Sequence, residues 1–214
     1  MKKLINKLFN RSGIFHPTKN HSHYLEKFSK IKDKKIINIG SGGYDPIPGA
    51  INIDPYRQGP NTIKAFGENL PLEDNSIDLA ICMAVLEHTK SPELIIKEIY
   101  RVLKVNGQIY IEIPFIQPYH AAPEDFIRFT LPGIEKLCQQ FKKIDSGIVN
   151  GPGSGVAWIL VEYGQLFFKN RLLKKISKNI IKIIVSPLKY IDNWLIKKED
   201  SINLAGGFYF YGKK

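Results

Sequence analysis

From Lys35 onward, short runs of apolar residues alternate with amphipathic stretches. This alternation is typical of a parallel sheet covered by helices. The apolar runs predict seven strands, which we place at 36–39, 50–53, 62–65, 77–82, 108–113, 142–148 and 207–211. The chain is therefore predicted to be an α/β protein with a seven-stranded sheet and helices on both of its faces.

Two helices between these strands are predicted from apolar positions spaced three or four residues apart. The first covers 92–103, with Ser91 as its N-cap and Asn106-Gly107 as its stop. The second covers 131–141, with Thr130 as its N-cap.

Residues 152–204, between the last two predicted strands, are predicted to form a basic helical insertion. Its apolar face comprises Phe168, Leu172, Ile176, Ile180, Ile184, Leu188, Ile191 and Leu195, and its basic face comprises Arg171, Lys174, Lys175, Lys178 and Lys182. The spacing predicts one long helix, kinked near Pro187. Two interpretations stay open: a helical lid packed on the domain with solvated lysines, or a surface that lies on an anionic membrane through Phe167, Phe168, Tyr190 and Trp194.

Charge is unevenly distributed in this chain of 214 residues with a net charge of +11. Basic residues concentrate in 1–35 and 164–200, whereas 36–163 is net acidic. Because phosphate contacts supply most of the affinity for nucleic acid, the acidic centre argues against a nucleic-acid partner. The basic flanks suggest an anionic membrane surface as a partner instead. We expect a basic N-terminal segment over 1–34 and one domain over 35–214 that includes the insertion.

The cysteines and the N-terminal residues indicate the cellular compartment in which the protein is expected. Cys82 and Cys138 have no metal-ligand or disulfide-framework spacing, so we expect buried reduced thiols and no metal site. Polar residues interrupt the apolar start of the chain, and no apolar stretch is long enough to span a membrane. We expect a cytoplasmic protein, peripheral on the inner face of the membrane.

A glycine-rich turn, Gly40-Ser41-Gly42-Gly43, follows the first predicted strand and lets a ligand lie against bare backbone. Asp54 ends the next strand, where a carboxylate can accept both hydroxyls of a ribose. The alternative for Asp54 is a residue that caps the turn at Pro55. Pro46 and Pro48 leave little room for the helix that would hold a pyrophosphate. The pattern therefore predicts a nucleoside ligand without a diphosphate.

Residues 36–114 resemble the class I S-adenosylmethionine-dependent methyltransferases, specifically their small type 11 group. The resemblance is carried by the segments ENLPLEDNSIDL at 68–79, VLEH at 85–88 and EIYRVLKVNGQ at 98–108. It implies a Rossmann-like seven-stranded sheet, mostly parallel with an antiparallel last strand. It also implies S-adenosylmethionine as the cofactor and methyl transfer to an acceptor.

Carried over position by position, the resemblance implies a set of cofactor contacts: Gly40, Ser41, Gly42, Asp54, Phe66, Gly67, Ala84 and Val85. Two positions depart from the family pattern. Phe66 replaces an acidic residue that meets the adenine amino group, and Tyr44 stands where a third glycine is common. Phe66 either stacks on the purine or belongs to the core.

Polar and aromatic residues crowd the segment 117–129 after the fifth predicted strand, where an acceptor pocket is expected. This segment resembles one found in methyltransferases associated with glycan assembly. The expected acceptor contacts are Tyr119, His120, Glu124 and Arg128. His120 or His88 is the expected catalytic base. The alternatives are a helix-start role for His88 and a loop held by pairing among Glu124, Asp125 and Arg128.

The resulting hypothesis is S-adenosylmethionine-dependent methyl transfer to a hydroxyl or carboxyl oxygen of a small-molecule or lipid-linked glycan acceptor. The alternative is a catalytically degenerate protein of the same fold that acts as a peripheral membrane or assembly module.

Overall fold

The computed structural model describes residues 14–31, 33–43, 45 and 47–214. The expectations for the first 13 residues and for Tyr44 therefore lie outside the described residues. The described chain forms two compact units. The sheet unit comprises 22–114, 120–147 and 208–214, and the helical unit comprises 14–21, 115–119 and 148–207.

Seven strands form one sheet in the order β3-β2-β1-β4-β5-β7-β6. They are β1 (Ile36–Ile39), β2 (Ile51–Ile53), β3 (Thr62–Ile63), β4 (Ile77–Met83), β5 (Leu103–Pro114), β6 (Lys142–Asn150) and β7 (Gly207–Lys213). β1 to β5 pair in parallel. β7 runs antiparallel to β5, because Lys214 N donates to Gly107 O at one end and Phe115 N donates to Gly206 O at the other. The predicted seven-stranded, mostly parallel sheet is confirmed.

The sheet unit carries three described α-helices: α1 (Tyr24–Ser29), α2 (Pro92–Val102) and α3 (Leu131–Leu137). α2 buries its apolar stripe, including Ile95 and Ile99. Thr130 caps α3 as predicted, since its side chain accepts from Gly133 N, whereas Ser91 makes no side-chain cap at α2. Within the described residues no helix connects β1 to β2, in line with the two prolines of that connection.

The predicted stop of α2 at Asn106-Gly107 is wrong. α2 ends at Val102 and β5 begins with the next residue. Asn106 has a φ of 67°, and the register between β4 and β5 shifts around it, from Ile77 opposite Leu103 to Leu79 opposite Gln108. The turn signal in the sequence therefore marks an irregularity inside a strand rather than the end of a helix.

An aromatic cluster completes the core of the sheet unit. α1, which lies in the predicted N-terminal segment, contributes Tyr24 and Phe28, and these rings pack on Tyr110 and Tyr211. The Tyr24 hydroxyl donates to Asp145 Oδ2 at 2.6 Å. Cys82 and Cys138 are buried and unpaired, as predicted, and burial raises the pKa of both thiols.

The helical unit contains α4 (Pro152–Gln165), α5 (Arg171–Val185) and α6 (Leu188–Leu195). The helix predicted for 168–195 begins at Arg171, and its predicted kink near Pro187 is confirmed as the boundary between α5 and α6 at Ser186-Pro187, where both residues keep right-handed helical backbone angles. Asn170 starts α5 by accepting from the N–H groups of Leu172 and Leu173. α4 lies within the predicted helical insertion but was not predicted as a separate helix, since its three glycines are typical of loops.

Asp192 on α6 fixes the start of α4. Its buried carboxylate accepts from Gly153 N, Ser154 N and Ser154 Oγ at 2.7 to 2.9 Å. A carboxylate is favourable there because the first N–H groups of a helix have no partner within the helix. A Cβ at Gly153 would lie 2.3 Å from Leu188 O, so glycine permits this close approach.

Four apolar positions of α5 face outward, whereas Ile181 and Val185 pack against α4. Leu172, Ile176, Ile180 and Ile184 are 45 to 68% exposed. Lys178 of the predicted basic face instead pairs with Glu162 of α4 at 3.0 Å. The exposure of these four side chains is not that of a lid packed on the domain, and the membrane-surface interpretation stays a prediction. No helix in the described part of the chain combines the length and apolar character needed to cross a membrane.

Candidate active site

The turn after β1 has three glycines in the left-handed region of backbone space, Gly40, Gly42 and Gly43. Gly40 has a φ of +66° and Gly42 a φ of +60°. A Cβ at Gly40 would come within 2.2 Å of Val85 Cγ2, so this glycine is required by packing against the segment after β4. A Cβ at Gly42 would meet no described atom within 4 Å. The open backbone for a ligand is therefore at Gly42 rather than at Gly40.

Asp54, at the end of β2, is buried and faces this turn. Its Oδ2 accepts from Gly42 N at 2.6 Å, and its Oδ1 accepts from Tyr56 N and Arg57 N at 2.9 and 2.7 Å. A carboxylate offers about four acceptor positions, so three bonds leave room for one more. The alternative interpretation, in which Asp54 caps the turn at Pro55, therefore agrees with the observed contacts. The ribose contact stays a prediction, with one further hydrogen bond available rather than two.

Two exposed aromatic rings lie beside these turns. Phe66 is 56% exposed and Tyr56 is 65% exposed, and their ring centroids are 5.9 Å apart with perpendicular planes. Phe66 is therefore not a core residue, and its stacking on a purine stays a prediction. Tyr56 is a candidate contact that the sequence analysis missed.

The structure also places three other predicted cofactor residues, Gly67, Ser41 and Ala84. Gly67 is buried, and a Cβ there would lie 3.1 Å from Ile39 and 3.2 Å from Ile95, so it allows α2 to approach β1. Ser41 is buried and its side chain lies 3.4 Å from Gly43 N. Ala84 follows β4 with a φ of +53° and is exposed. Together, the bare turn, the carboxylate and the two rings fit a nucleoside at the carboxyl edge of the sheet.

The two candidate catalytic histidines meet at a buried glutamate just beyond β4. Glu87, in the 3-10 turn Leu86–His88, is 0% exposed. Its Oε1 lies 3.7 Å from His88 Nε2 and 3.5 Å from His120 Nε2. The two imidazole rings are perpendicular, with centroids 5.2 Å apart. We call Glu87, His88 and His120 the histidine cluster.

A salt bridge holds His120 in the cluster. Arg128 binds both carboxylate oxygens of Asp125, and Asp125 Oδ2 accepts from His120 N at 2.9 Å. The Arg128 guanidinium and the His120 N–H together lower the pKa of Asp125 to about 2. The loop is thus organised by Asp125 and Arg128 as the alternative interpretation had it, and the same pairing positions His120.

Of the four predicted acceptor contacts, three lie in the sheet unit. His120 belongs to the cluster, the Glu124 carbonyl lies 2.6 Å from His88 Nδ1, and Arg128 acts through the salt bridge above. Tyr119 is exposed and belongs to the helical unit. The sequence analysis missed Glu87 as a candidate, although its position between a strand end and His88 was a signal for it.

Much of the segment that carries the family resemblance has a structural role. The Arg101 guanidinium donates to Glu98 and Asp74 and to the carbonyl oxygens of Leu70 and Leu72, at 2.7 to 2.9 Å. Side-chain hydrogen bonding to Arg101 lowers the pKa of Glu98. We call this arrangement the arginine clamp. It ties α2 to the loop that precedes β4.

Comparison with known proteins gives matches to methyltransferases. Residues 42–111 match the family model described as a methyltransferase domain. The thiol S-methyltransferase TMT1B of Rattus norvegicus is 30% identical over 122 residues, which are 43% of this chain and 50% of that protein. The chain spans about half the length of the curated relatives it matches.

Two solved structures share the fold at 14% sequence identity. A SAM-dependent methyltransferase from Archaeoglobus fulgidus has a TM-score of 0.54, covering 89% of this chain and 90% of that one. The [4+2]-cyclase SpnF has a TM-score of 0.55, covering 88% and 77%. Residues 42–111 thus match a methyltransferase domain, and the sheet order is that of the Rossmann-like methyltransferase fold. These similarities support S-adenosylmethionine as the cofactor.

Proposed function

We propose that the protein transfers a methyl group from S-adenosylmethionine to a hydroxyl or carboxyl oxygen of a small-molecule or lipid-linked glycan acceptor. The observation that carries this proposal is the histidine cluster. Glu87 and His88 follow Val85, which packs on Gly40 of the cofactor turn. The proposed cofactor and the cluster therefore lie at neighbouring strand ends, where donor and acceptor would meet.

Methyl transfer from S-adenosylmethionine requires few catalytic side chains, because the methyl donor is already activated. S-adenosylmethionine, when bound, supplies a methyl group on a positively charged sulfur. The acceptor oxygen forms its bond to the methyl carbon while the carbon–sulfur bond breaks and its electron pair stays on sulfur. The chain has to align the two partners and exclude water. A hydroxyl acceptor loses its proton to the histidine cluster, whereas a carboxyl acceptor is already ionised near neutral pH.

Proton removal is what favours an oxygen acceptor. A hydroxyl group holds its proton tightly near neutral pH, so its attack is helped by groups positioned to take that proton. The histidine cluster supplies a carboxylate and imidazole nitrogens within 4.8 Å of one another. The rat relative is named for a thiol acceptor, which ionises more easily than an alcohol.

We also propose that the helical unit binds an anionic membrane surface, which would bring a lipid-linked acceptor near. Exposed apolar residues of α5 and exposed rings, such as Phe167 and Trp194, are the support for this part. Arg171, Lys174 and Lys175 lie on the same exposed stretch. Apolar side chains together with lysine and arginine are typical of helices that lie in the membrane interface.

The test is calorimetric titration with S-adenosylmethionine, followed by transfer of its labelled methyl group into an extract of the host and fractionation of the product. We expect binding and a labelled product that alkali or glycosidase treatment assigns to an ester or a glycan ether. Absence of S-adenosylmethionine binding would refute the proposal.

The degenerate module is the second candidate, and two observations favour it. Phe66 replaces the acidic residue of the family, and Asp54 already carries three hydrogen bonds. Absence of S-adenosylmethionine binding, or binding without transfer into any fraction, would support this candidate over the enzyme.

A further inference from the structure

We propose that Glu87, His88 and His120 bind a divalent metal ion of the zinc type. The role of this ion in catalysis rests on the proposed methyl transfer, but its binding does not. The sequence analysis expected no metal site. His120 is 32 positions from His88, so no motif spacing links these two residues.

The burial of Glu87 is the first observation. The residue is 0% exposed, and within the part of the chain that the structure describes neither carboxyl oxygen has a hydrogen-bond partner. A buried carboxyl group without hydrogen bonds is costly in free energy, and native proteins rarely keep one. A cation at Glu87 would remove that cost.

The hydrogen bond of His88 is the second observation. Its Nδ1 lies 2.6 Å from the Glu124 carbonyl oxygen, and because a carbonyl only accepts, Nδ1 must carry the proton. The Nε2 atom of a neutral His88 then has a lone pair and lies 3.7 Å from Glu87 Oε1. Two electron-rich atoms face each other there, which is the arrangement of two ligands around one cation.

The distances favour a metal ion over a shared proton. The Oε1 atom of Glu87 is 3.7 and 3.5 Å from the two Nε2 atoms, which is beyond the usual range of about 2.7–3.2 Å for an N–H···O hydrogen bond. Ligands about 2.1 Å from a tetrahedral zinc ion lie about 3.4 Å from one another. The three ligand atoms all lie within 4.8 Å of one another, so small side-chain shifts would close the site.

The surroundings of the histidines resemble an outer shell of a metal site. Metal-binding histidines usually donate their other ring N–H to a carbonyl or carboxylate, which fixes the ring. His88 does so to Glu124 O. Asp125 Oδ2, 3.5 Å from His120 Nδ1, is the carboxylate that would accept this N–H, whereas Arg128 Nη2, 3.4 Å from the same nitrogen, is a donor that would have to turn away when Nε2 binds the ion. The His120 side chain is 30% exposed, which leaves a side from which an acceptor can reach the ion.

The donor set selects the class of metal. Two imidazoles and one carboxylate suit zinc and neighbouring transition metals, whereas Mg²⁺ and Ca²⁺ prefer oxygen ligands alone. Three protein ligands with an open fourth position are typical of catalytic rather than structural zinc.

The ion changes the role of the two histidines. The acceptor oxygen would occupy the open position, and the ion would lower the pKa of its O–H group. The proton would pass to Oε2 of Glu87 as the oxygen attacks the methyl carbon. His88 and His120 would then be ligands rather than bases, which replaces the expectation of a histidine base.

Titration of untagged, chelator-treated full-length protein with Co²⁺, followed by visible absorption, tests the site. We expect one tightly bound Co²⁺ per chain, with the spectrum of a four- or five-coordinate ion that Zn²⁺ displaces. Glu87→Gln and His120→Ala should each weaken Co²⁺ binding by about 10- to 100-fold or more. The matched controls His23→Ala and Glu93→Gln, at exposed positions, should bind as the wild type does.

The wild-type titration keeps the proposal falsifiable even if a variant does not fold, which circular dichroism would reveal. Failure of the wild type to bind Co²⁺, or unchanged binding in both folded cluster variants, would overturn the metal site. Titration of the same samples with S-adenosylmethionine separates the two proposals. Cofactor binding without Co²⁺ binding removes the metal alone, and absence of cofactor binding refutes the proposed function.

Discussion

At the scale of single residues, Asp54 shows how one side chain both shapes a site and remains able to contact a ligand. Its carboxylate joins the glycine turn to the turn after β2 through three backbone N–H groups. The ribose prediction therefore depends on a turn that Asp54 itself holds in place. Loss of the carboxylate should affect cofactor affinity and the local backbone together.

We expect Asp54→Asn to weaken S-adenosylmethionine binding by about 10- to 100-fold, because a charged hydrogen bond contributes about 1.5–3 kcal/mol. The amide keeps one acceptor oxygen but places an NH₂ group against the N–H of Gly42 or of Tyr56. Calorimetric titration measures the change, and Asp200→Asn, at an exposed position, is the control. Equal affinity in both variants would show that Asp54 only caps its turn.

At the scale of elements, the fold of the helical unit is stabilised by Asp192 of α6, whose carboxylate binds the N–H groups at the start of α4. Burial alone would raise the pKa of Asp192, but the His21 ring, 3.8 Å away, and hydrogen bonds from Ser154 and Gly153 outweigh it and lower the pKa. Asp192 therefore stabilises the fold above the pKa of an unfolded aspartate, about 3.9, and this stabilisation is lost as the pH falls through the lowered value.

Asp192→Ala should lower the free energy of unfolding by about 3 kcal/mol or more at neutral pH, since it leaves three buried donors without an acceptor. The difference from the wild type should shrink below pH 4. Thermal unfolding at pH 7 and pH 3 measures both effects, and Asp200→Ala should unfold as the wild type does. A difference that does not change with pH would contradict the assigned charge.

The elements also show what the sequence could and could not predict. The strands were predicted because buried β-strands read as apolar runs, as at Ile36–Ile39. α4 was missed because Gly153, Gly155 and Gly164 permit close contacts that only the folded chain displays. Periodicity identified the apolar side of α5, but it does not determine which side of a helix a neighbouring element covers.

His88 and His120 were predicted as candidate catalytic residues. Their contact with Glu87 could not be predicted, because it depends on the pairing of Asp125 with Arg128.

At the scale of the whole molecule, the basic residues and the exposed apolar side chains of α5 make membrane binding testable. Burying an isoleucine contributes about 1.5–3 kcal/mol, so replacing it with a charged residue should weaken binding by about tenfold or more. We expect the protein to float with anionic vesicles and Ile180→Glu to float poorly. Ile180 is exposed, so this change should leave folding intact.

The matched control is Ile144→Glu, at an exposed position in the sheet unit. It should float as the wild type does, and neither protein should float with neutral vesicles or at high salt. Absence of the wild type from the anionic vesicle fraction would exclude the membrane as a partner.

The arginine clamp has a consequence for how this protein is compared with others. Glu98 and Arg101 satisfy loop carbonyls and a carboxylate around α2, and none of these groups belongs to the histidine cluster. Selection that keeps the arginine clamp preserves the fold, independently of which substrate the protein acts on. Sequence similarity over the clamp residues therefore indicates common ancestry of the fold. Two proteins that share these residues can still act on different substrates.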